Sequence, residues 1–182
     1  MKSKKWLFVC VPIAVILVLA LALYLGIQVW FFNPKINVAI QDDGTYYNMT
    51  ARQLLKIKGE PIDMIEDDIT PYNDYYFKET VCGYEADSCY AFYRSLLGQR
   101  LTSVHVTISC DSADAAKNVF NRMYTQMDAY YKTQVNYYNS GTKTTEESEL
   151  TVSFGTNDGG AGVSNDISLS GTKVTISTFD LY

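Results

Sequence analysis

The sequence has little of the material from which metal centres and many catalytic sites are built. It contains one histidine, His105, and four cysteines, and no two cysteines have the spacing of a CxxC motif. Structural zinc sites use clusters of cysteine and histidine, so this composition disfavours such a site. His105 lies in a predicted strand with no nucleophile visible beside it, which disfavours acid–base catalysis. We therefore expect no metal, no cofactor and no catalytic residue.

Basic residues are also fewer than acidic ones. The chain has 15 lysines and arginines against 20 aspartates and glutamates, which gives a formal net charge of -5 at pH 7. A protein that binds nucleic acid must neutralise phosphates with basic side chains. The charge balance therefore excludes nucleic acid as an expected partner.

Charge is absent altogether from one long stretch, residues 6–32, which has a single amide, Gln28. A helix rises about 1.5 Å per residue, so this stretch is long enough to cross a hydrocarbon core of roughly 30 Å. Lys2, Lys4 and Lys5 precede it, and few basic residues follow it at once. By the positive-inside rule, this predicts a signal anchor in the cell membrane, crossing once, with a cytoplasmic N-terminus and the C-terminal domain outside.

A cleaved signal peptide is the alternative interpretation of this stretch. Ala20 and Ala22 are small residues at the spacing that a signal peptidase requires. Against cleavage, the apolar run continues well past Ala22 and is long for a signal peptide. The predicted domain organisation is therefore a cytoplasmic tail at residues 1–5, a transmembrane helix at 6–32, a linker or short strand at 33–44, and an extracytoplasmic domain at 45–182.

Helix and strand patterns follow in the order helix, several strands, helix, several strands. Thr50 and Gln53 have the spacing of a capping box, which predicts the start of a short helix. Apolar residues recur every three or four positions over Ala116–Met127, as in a second helix. Strict alternation over Arg100–Ser109 predicts the clearest strand. The predicted fold class is α+β, with a single N-terminal transmembrane helix followed by one extracytoplasmic domain whose two helices pack on an antiparallel sheet.

Three cysteines follow the apolar stretch, and an odd number cannot all pair within one chain. A turn at Tyr84–Asp87 would place Cys82 and Cys89 across a hairpin, so a disulfide between them is one possibility. A bridge between Cys89 and Cys110 is another, and three free buried thiols are a third.

The first helix and the strands after it resemble a known family. The sequence carries Met49-Thr50, Leu54-Leu55 and Gly59-Glu60-Pro61 ahead of tyrosine-rich strands. In this it resembles the small secreted α+β modules of the β-lactamase-inhibitor-like and SmpA/OmlA envelope lipoprotein type, mainly over residues 43–109. The resemblance implies a module that binds other proteins and catalyses nothing. The chain has no lipobox, so attachment to an outer membrane is not implied.

Tyrosine is frequent, with fifteen residues. It buries a large ring while its hydroxyl stays in water, which suits a binding surface. Alternation along a strand predicts that only one of Tyr75 and Tyr76 points into the core. The predicted interaction surface consists of Tyr72, Tyr75, Tyr76, Tyr130, Tyr131, Tyr137 and Tyr138.

The predicted function is that of a membrane-anchored, extracytoplasmic protein-binding or envelope assembly module of a bacterium, without catalytic activity. Its predicted partners are the membrane, through residues 6–32, and another envelope protein. One alternative is an enzyme that acts on the cell wall or a glycan with a carboxylate pair such as Glu85 and Asp87. A second alternative is a structural subunit of a filament. An exposed apolar or tyrosine patch would favour the first function, and a cleft that holds both carboxylates would favour the enzyme.

Overall fold

The chain forms two compact units, Met1–Lys35 and Ile36–Tyr182. They are seen in a computed structural model. It describes residues 4–31, 43–66, 69–95, 98–134, 136–144, 150–156 and 163–180. Residues 33–42 of the predicted linker or strand at 33–44 lie outside the described residues. Residues 1–3 of the predicted cytoplasmic tail also lie outside them.

The first unit contains one helix, α1, Lys4–Phe31. It covers the stretch for which the absence of charge predicted a helix. Pro12 lies inside α1, where its ring nitrogen has no N–H to donate to the carbonyl four residues earlier, yet the helix continues past it. The helical conformation of this stretch is therefore confirmed.

The prediction that α1 crosses a membrane is contradicted. Among the residues that the structure describes, no helix is both long enough and apolar enough to span a bilayer. This corrects the transmembrane helix in the predicted fold class, the predicted signal anchor, and the predicted single-pass location in the cell membrane. The predicted extracytoplasmic placement of the second unit depended on a transmembrane helix, so this prediction loses its basis as well.

The described part of the second unit contains two helices and nine strands. The helices are α2, Ala51–Lys58, and α3, Ala113–Tyr131. The strands are β1 (Asp63–Glu66), β2 (Tyr72–Val81), β3 (Tyr84–Ser95), β4 (Gly98–Ser109), β5 (Tyr137–Asn139), β6 (Lys143–Thr144), β7 (Leu150–Thr156), β8 (Val163–Ser170) and β9 (Lys173–Asp180).

All nine strands belong to one antiparallel sheet. Its order is β1-β2-β3-β4-β9-β8-β7-β5, with β6 also paired to β7. The sheet thus consists of two meanders that meet where β4 pairs with β9, Ser103 opposite Phe179. The chain passes from the first meander to the far edge of the second through α3. This topology places β1 at one edge of the sheet and β5 at the other.

Local sequence determines where α2 begins and ends. The hydroxyl of Thr50 accepts a hydrogen bond from the Gln53 backbone N–H at 3.3 Å, and the Thr50 N–H donates to Gln53 Oε1 at 2.7 Å. This is the predicted capping box, which satisfies two backbone donors at the helix start. Gly59 follows the last turn with φ of 82°, a conformation that side chains disfavour. Its N–H donates to the Leu55 carbonyl.

The helices cover one face of the sheet and form the core with it. On α3 the buried residues are Ala116, Val119, Phe120, Met123, Met127 and Tyr131, which includes most of the predicted apolar positions. Leu54 is the buried residue of α2. On β4, Val104, Val106 and Ile108 point into this core, as their alternation predicted. Residues on the opposite face, from Tyr72 on β2 to Ser168 on β8, are half-buried or exposed. We call this the open face.

Candidate interaction surface

The edge strand β1 is the most exposed part of the sheet. All four of its residues are exposed. It pairs with β2 on one side, Met64 opposite Tyr75 and Ile65 opposite Asp74. Among the strands that the structure describes, none pairs with its other side. Within the described residues, its outer backbone groups are therefore open to a further strand.

Large apolar side chains cluster around this edge. Ile69, in the connection between β1 and β2, is 93% exposed, and Ile62, just before β1, is 62% exposed. Monomeric proteins rarely expose large apolar residues in adjoining groups, whereas single ones are ordinary. We define the β1 surface as the exposed residues Ile62, Met64, Ile65, Ile69, Tyr72 and Tyr93.

Register brings three of these residues together on the open face. Ile65 lies opposite Asp74, two residues along β2 from Tyr72, a diagonal separation of roughly 7 Å. Tyr72 lies opposite Tyr93 on β3, and their rings meet edge to face with centroids 5.5 Å apart. A continuous apolar line thus runs from the edge strand across two neighbouring strands.

A hydrogen bond from β3 supports the connection that carries Ile69. The Arg94 side chain donates from Nη2 to the Thr70 carbonyl at 2.7 Å, and its backbone N–H donates to the Pro71 carbonyl at 2.6 Å. The connection is therefore attached to the sheet at the point where Ile69 projects into solvent.

Acidic groups border the β1 surface without a basic partner. Among the described residues, no lysine or arginine forms an ion pair with Asp63, Glu66 or Asp74. Their negative charge acts on the neighbouring groups. Burial, helped by Cys89, Asp74 and Asp63, raises the pKa of Tyr76 to about 12. Burial and Glu66 likewise raise the pKa of Tyr75. The electrostatic potential at this edge therefore favours a cation.

The three predicted tyrosines of β2 have different environments. Tyr72 is exposed and belongs to the β1 surface. Tyr75 is buried and packs edge to face on Phe92 at 5.2 Å. Tyr76 is half-buried on the open face. The prediction that only one of Tyr75 and Tyr76 enters the core is thus confirmed.

The other four predicted tyrosines lie at the opposite end of the sheet and make internal contacts. Tyr131 is buried, and its hydroxyl accepts a hydrogen bond from Asn165 Nδ2. Tyr130 packs edge to face on the Tyr131 ring at 5.1 Å. The hydroxyl of Tyr137 donates to Asp128 Oδ1 at 3.0 Å, and that of Tyr138 to Ser164 Oγ at 3.2 Å. The structure does not bring these four together with Tyr72.

Most residues of the β1 surface were not recognised in the sequence as an interaction site. The segment from Ile62 to Ile69 mixes apolar and acidic residues without a regular period. A clue was present, because the adjacent residues Met64 and Ile65 must point to opposite faces of a strand. In a short acidic strand with an apolar residue on each face, at least one face needs a partner to cover its apolar residue. This pattern therefore indicates an interaction site.

The predicted disulfide residues are not brought together. No disulfide joins any two of the four cysteines. Cys82 lies in the turn between β2 and β3, whereas Cys89 is opposite Tyr76, well along β3. Seven strand residues correspond to roughly 20 Å, and a disulfide needs Cα atoms within about 7 Å. Cys110, just past the end of β4, is likewise far along the ladder from Cys89, which is opposite His105.

Cys89 and His105 are neighbours in a row across the open face. The row runs from Tyr76 through these two residues to Ser177 and Asp166. His105 Nδ1 is 3.0 Å from Ser177 Oγ. Burial lowers the pKa of His105, although Asp74 opposes this, and burial with Asp74 raises the pKa of Cys89 to about 11. Near neutral pH this gives an unionised thiol, which is a poor nucleophile.

An open groove of about 380 Å³ lies at one end of the open face. Glu85 and Asp87 line it from β3, with Lys78 from β2 and Thr107 and Ser109 from β4. The structure thus places the two carboxylates of the alternative enzymatic function in one groove. In the part of the chain that the structure describes, no group of three or more metal-ligating side chains is found.

Comparison with protein-family models, with curated proteins and with solved structures finds no match to the chain. The resemblance to β-lactamase-inhibitor-like and SmpA/OmlA modules therefore stays a prediction. The function must be argued from the geometry of the molecule itself.

Proposed function

We propose that the second unit is a protein-binding module and that the β1 surface is its binding site. The observation that carries this proposal is the cluster of large apolar side chains at one unpaired sheet edge, with Ile62 and Ile69 mostly exposed. A contiguous exposed apolar patch is typical of a protein interaction site.

The energetics favour a partner on this surface. Burying a large apolar side chain stabilises a complex by about 1.5–3 kcal/mol. Ile65, Tyr72 and Tyr93 present such side chains on one line, already ordered by strand pairing and ring contact. Because they are held in place before binding, less conformational entropy is lost on association.

The surface is also separate from the core that holds the unit together. The residues of β1 are exposed on both faces, whereas the buried apolar residues lie between the sheet and its helices. Changing the β1 surface should therefore alter binding without unfolding the unit. This makes the proposal testable by substitution.

The test is crosslinking and affinity capture with the full chain from cells that produce it. The variants Ile65→Ser and Tyr93→Ser should each reduce the recovery of a stoichiometric partner at least tenfold. Tyr138→Ser, at the opposite edge, is the matched control and should leave recovery unchanged once its fold is verified by circular dichroism. Recovery that is insensitive to Ile65→Ser and Tyr93→Ser would contradict the proposal.

The groove supports a second candidate, an enzyme that hydrolyses a glycan with Glu85 and Asp87. Because they are two residues apart on one strand, both side chains point to the same face and line the groove, as the two carboxylates of a glycoside hydrolase must. Incubation with chromogenic glycosides and with peptidoglycan tests it. Activity that disappears in both Glu85→Gln and Asp87→Asn would favour the enzyme, and the absence of any hydrolysis by the unaltered chain would exclude these substrates.

A further inference from the structure

Building on the proposed function, we infer that β1 binds its partner by strand addition. The occupant is an extended segment of another protein in which a lysine or arginine stands on each side of two adjacent apolar residues. It forms backbone hydrogen bonds with the outer edge of β1 and extends the sheet by one strand. Three independent features of the edge support this assignment.

The first feature is the backbone. In an antiparallel pair, the N–H and C=O groups of successive residues point alternately toward and away from the neighbouring strand. Since β1 is paired with β2 along its whole length, its remaining groups point outward. No described strand or helix of the second unit takes them up. An extended peptide is the ligand that matches such a row of donors and acceptors.

The second feature is the arrangement of apolar side chains on both faces of the edge. Ile65 lies on the open face with Tyr72 and Tyr93, and Met64 lies on the other face, opposite the buried Tyr75. An added strand places its own side chains alternately on these two faces. Cross-strand apolar pairs would then form above and below the sheet.

The third feature is charge. Asp63 and Glu66 occupy the two ends of β1, and Asp74 lies next to Ile65 on the open face. None of these three forms an ion pair within the described residues. Basic side chains on the added strand would lie directly opposite Asp63 and Glu66 and gain charge-assisted contacts. Acidic segments are disfavoured by the same groups.

A second copy of the chain fits the edge poorly. Opposite residues of an antiparallel pair point to the same face, so symmetric pairing of two copies centred on β1 places Met64 opposite Met64 and Asp63 opposite Ile65 of the second copy. This register gives no acidic residue of β1 a basic partner. It also brings together two edges that carry the same negative charge. The edge is therefore suited to a partner of opposite charge.

The test uses three synthetic peptides as probes and the full chain as the target. In the first, lysine stands on each side of two adjacent valines; in the second, glutamate takes the place of lysine; the third is the lysine peptide N-methylated at every other residue. Binding is measured by fluorescence anisotropy and mapped by NMR of the backbone amides. We expect the lysine peptide to shift the amides of residues 63–66 and to weaken as salt increases. The N-methylated peptide should bind at least tenfold more weakly, because it cannot complete the ladder.

Charge reversal provides the second arm. The double variant Asp63→Lys and Glu66→Lys should bind the glutamate peptide in preference to the lysine peptide, which a nonspecific hydrophobic contact would not produce. Equal affinity of the N-methylated peptide, or no shift at residues 63–66, would overturn strand addition. If capture of the cellular partner still depends on Ile65, the proposed function survives that result. A concentration-dependent dimer in analytical ultracentrifugation that Asp63→Lys abolishes would assign the edge to a second copy and overturn this inference.

Discussion

At the scale of single residues, Gly155 on β7 is the position where space is most restricted. A Cβ added there would lie 2.5 Å from the Val163 carbonyl and 2.6 Å from ring carbons of Tyr138. The neighbouring strands β5 and β8 both approach Gly155 closely. The Val163 carbonyl belongs to the backbone and cannot move aside as a side chain can. We expect Gly155→Ala to reduce the free energy of unfolding by about 1–3 kcal/mol, the range for overpacking.

Thermal and urea denaturation of the second unit measure this effect. Gly26→Ala is the matched control, because a Cβ at Gly26 meets nothing within 4 Å and this residue lies in the other unit. If both variants unfold at the same denaturant concentration, the close packing of Tyr138 on Gly155 is not present in solution.

Lys58 is the most enclosed charged residue among the described ion pairs. Its side chain is only 7% exposed, and Nζ contacts Glu79 and lies 2.5 Å from Asp43 Oδ2. The Tyr90 hydroxyl donates to the same Glu79 at 2.6 Å, and the Tyr90 ring lies 5.3 Å from Nζ. This cluster connects the segment before α2 with α2, β2 and β3.

Replacing Lys58 by methionine should destabilise the unit by about 3 kcal/mol, because a nearly buried carboxylate then loses its cation. The double variant Lys58→Met with Glu79→Leu should recover much of this loss, since the carboxylate that remains, Asp43, is 35% exposed and can be solvated. Urea denaturation distinguishes the two. A double variant no more stable than Lys58→Met would show that the cluster is not held together mainly by its charges.

Asp43 makes the same cluster sensitive to acid. Burial acts to raise the pKa of Asp43, but hydrogen bonds from Lys58 and Thr45 together hold it below the usual value of 3.8. A carboxylate with a depressed pKa stabilises the folded state above its unfolded pKa, and this stabilisation is lost as the pH falls through the folded pKa. Stability should therefore decline below about pH 4.

The variant Asp43→Asn should flatten this decline in urea midpoints measured between about pH 2 and pH 7. Thr45→Val removes a donor that lies 2.7 Å from Asp43 and should flatten it in part. If the urea midpoint of Asp43→Asn falls with decreasing pH as steeply as that of the unaltered chain, other carboxylates cause the decline.

At the scale of elements, the N-terminus of α2 depends on one side chain. The Thr50 hydroxyl and the Gln53 amide satisfy each other's neighbouring backbone donors. Thr50→Ala should cost about 1 kcal/mol of stability, the usual effect of losing an N-cap. Thr50→Ser keeps the hydroxyl and should retain most of the stability in the same urea denaturation. Equal losses in the two variants would mean that the threonine methyl matters more than the cap.

Elements that are determined by residues close together in the sequence were predictable from it. The capping box of α2 and the alternation of Val104, Val106 and Ile108 are local patterns, and the structure shows both. The hairpin turn was not predictable in this way. It lies at Cys82–Gly83, where Cys82 has φ of 53°, whereas Tyr84–Asp87 was expected. Two-residue turns of this kind favour asparagine or glycine at the first position, so a cysteine there gives no signal.

At the scale of the whole molecule, the candidate site could not be read from the sequence, because it is a property of the strand order. That β1 is an edge follows from β4 pairing with β9, residues that are 64 (Ser109 and Lys173) to 76 (Ser103 and Phe179) positions apart. The same order separates Tyr72 from Tyr138, which the sequence placed in one predicted surface. Tyrosine content indicated a binding function, but only the topology distinguishes tyrosines that face solvent from those that pack on α3.

The strand order also predicts how stability is distributed. Native-state hydrogen exchange should be slowest in β4 and β9, each of which has a strand on both sides and buried residues such as Val104 and Ile176. Exchange should be fastest in β1, whose four residues are exposed and paired on one side. Adding the lysine peptide, in which lysine stands on each side of two valines, should slow exchange at residues 63–66 and leave β4 unchanged, because strand addition protects only the edge. Exchange in β1 as slow as in β4 before any peptide is added would mean that another part of the chain already covers this edge.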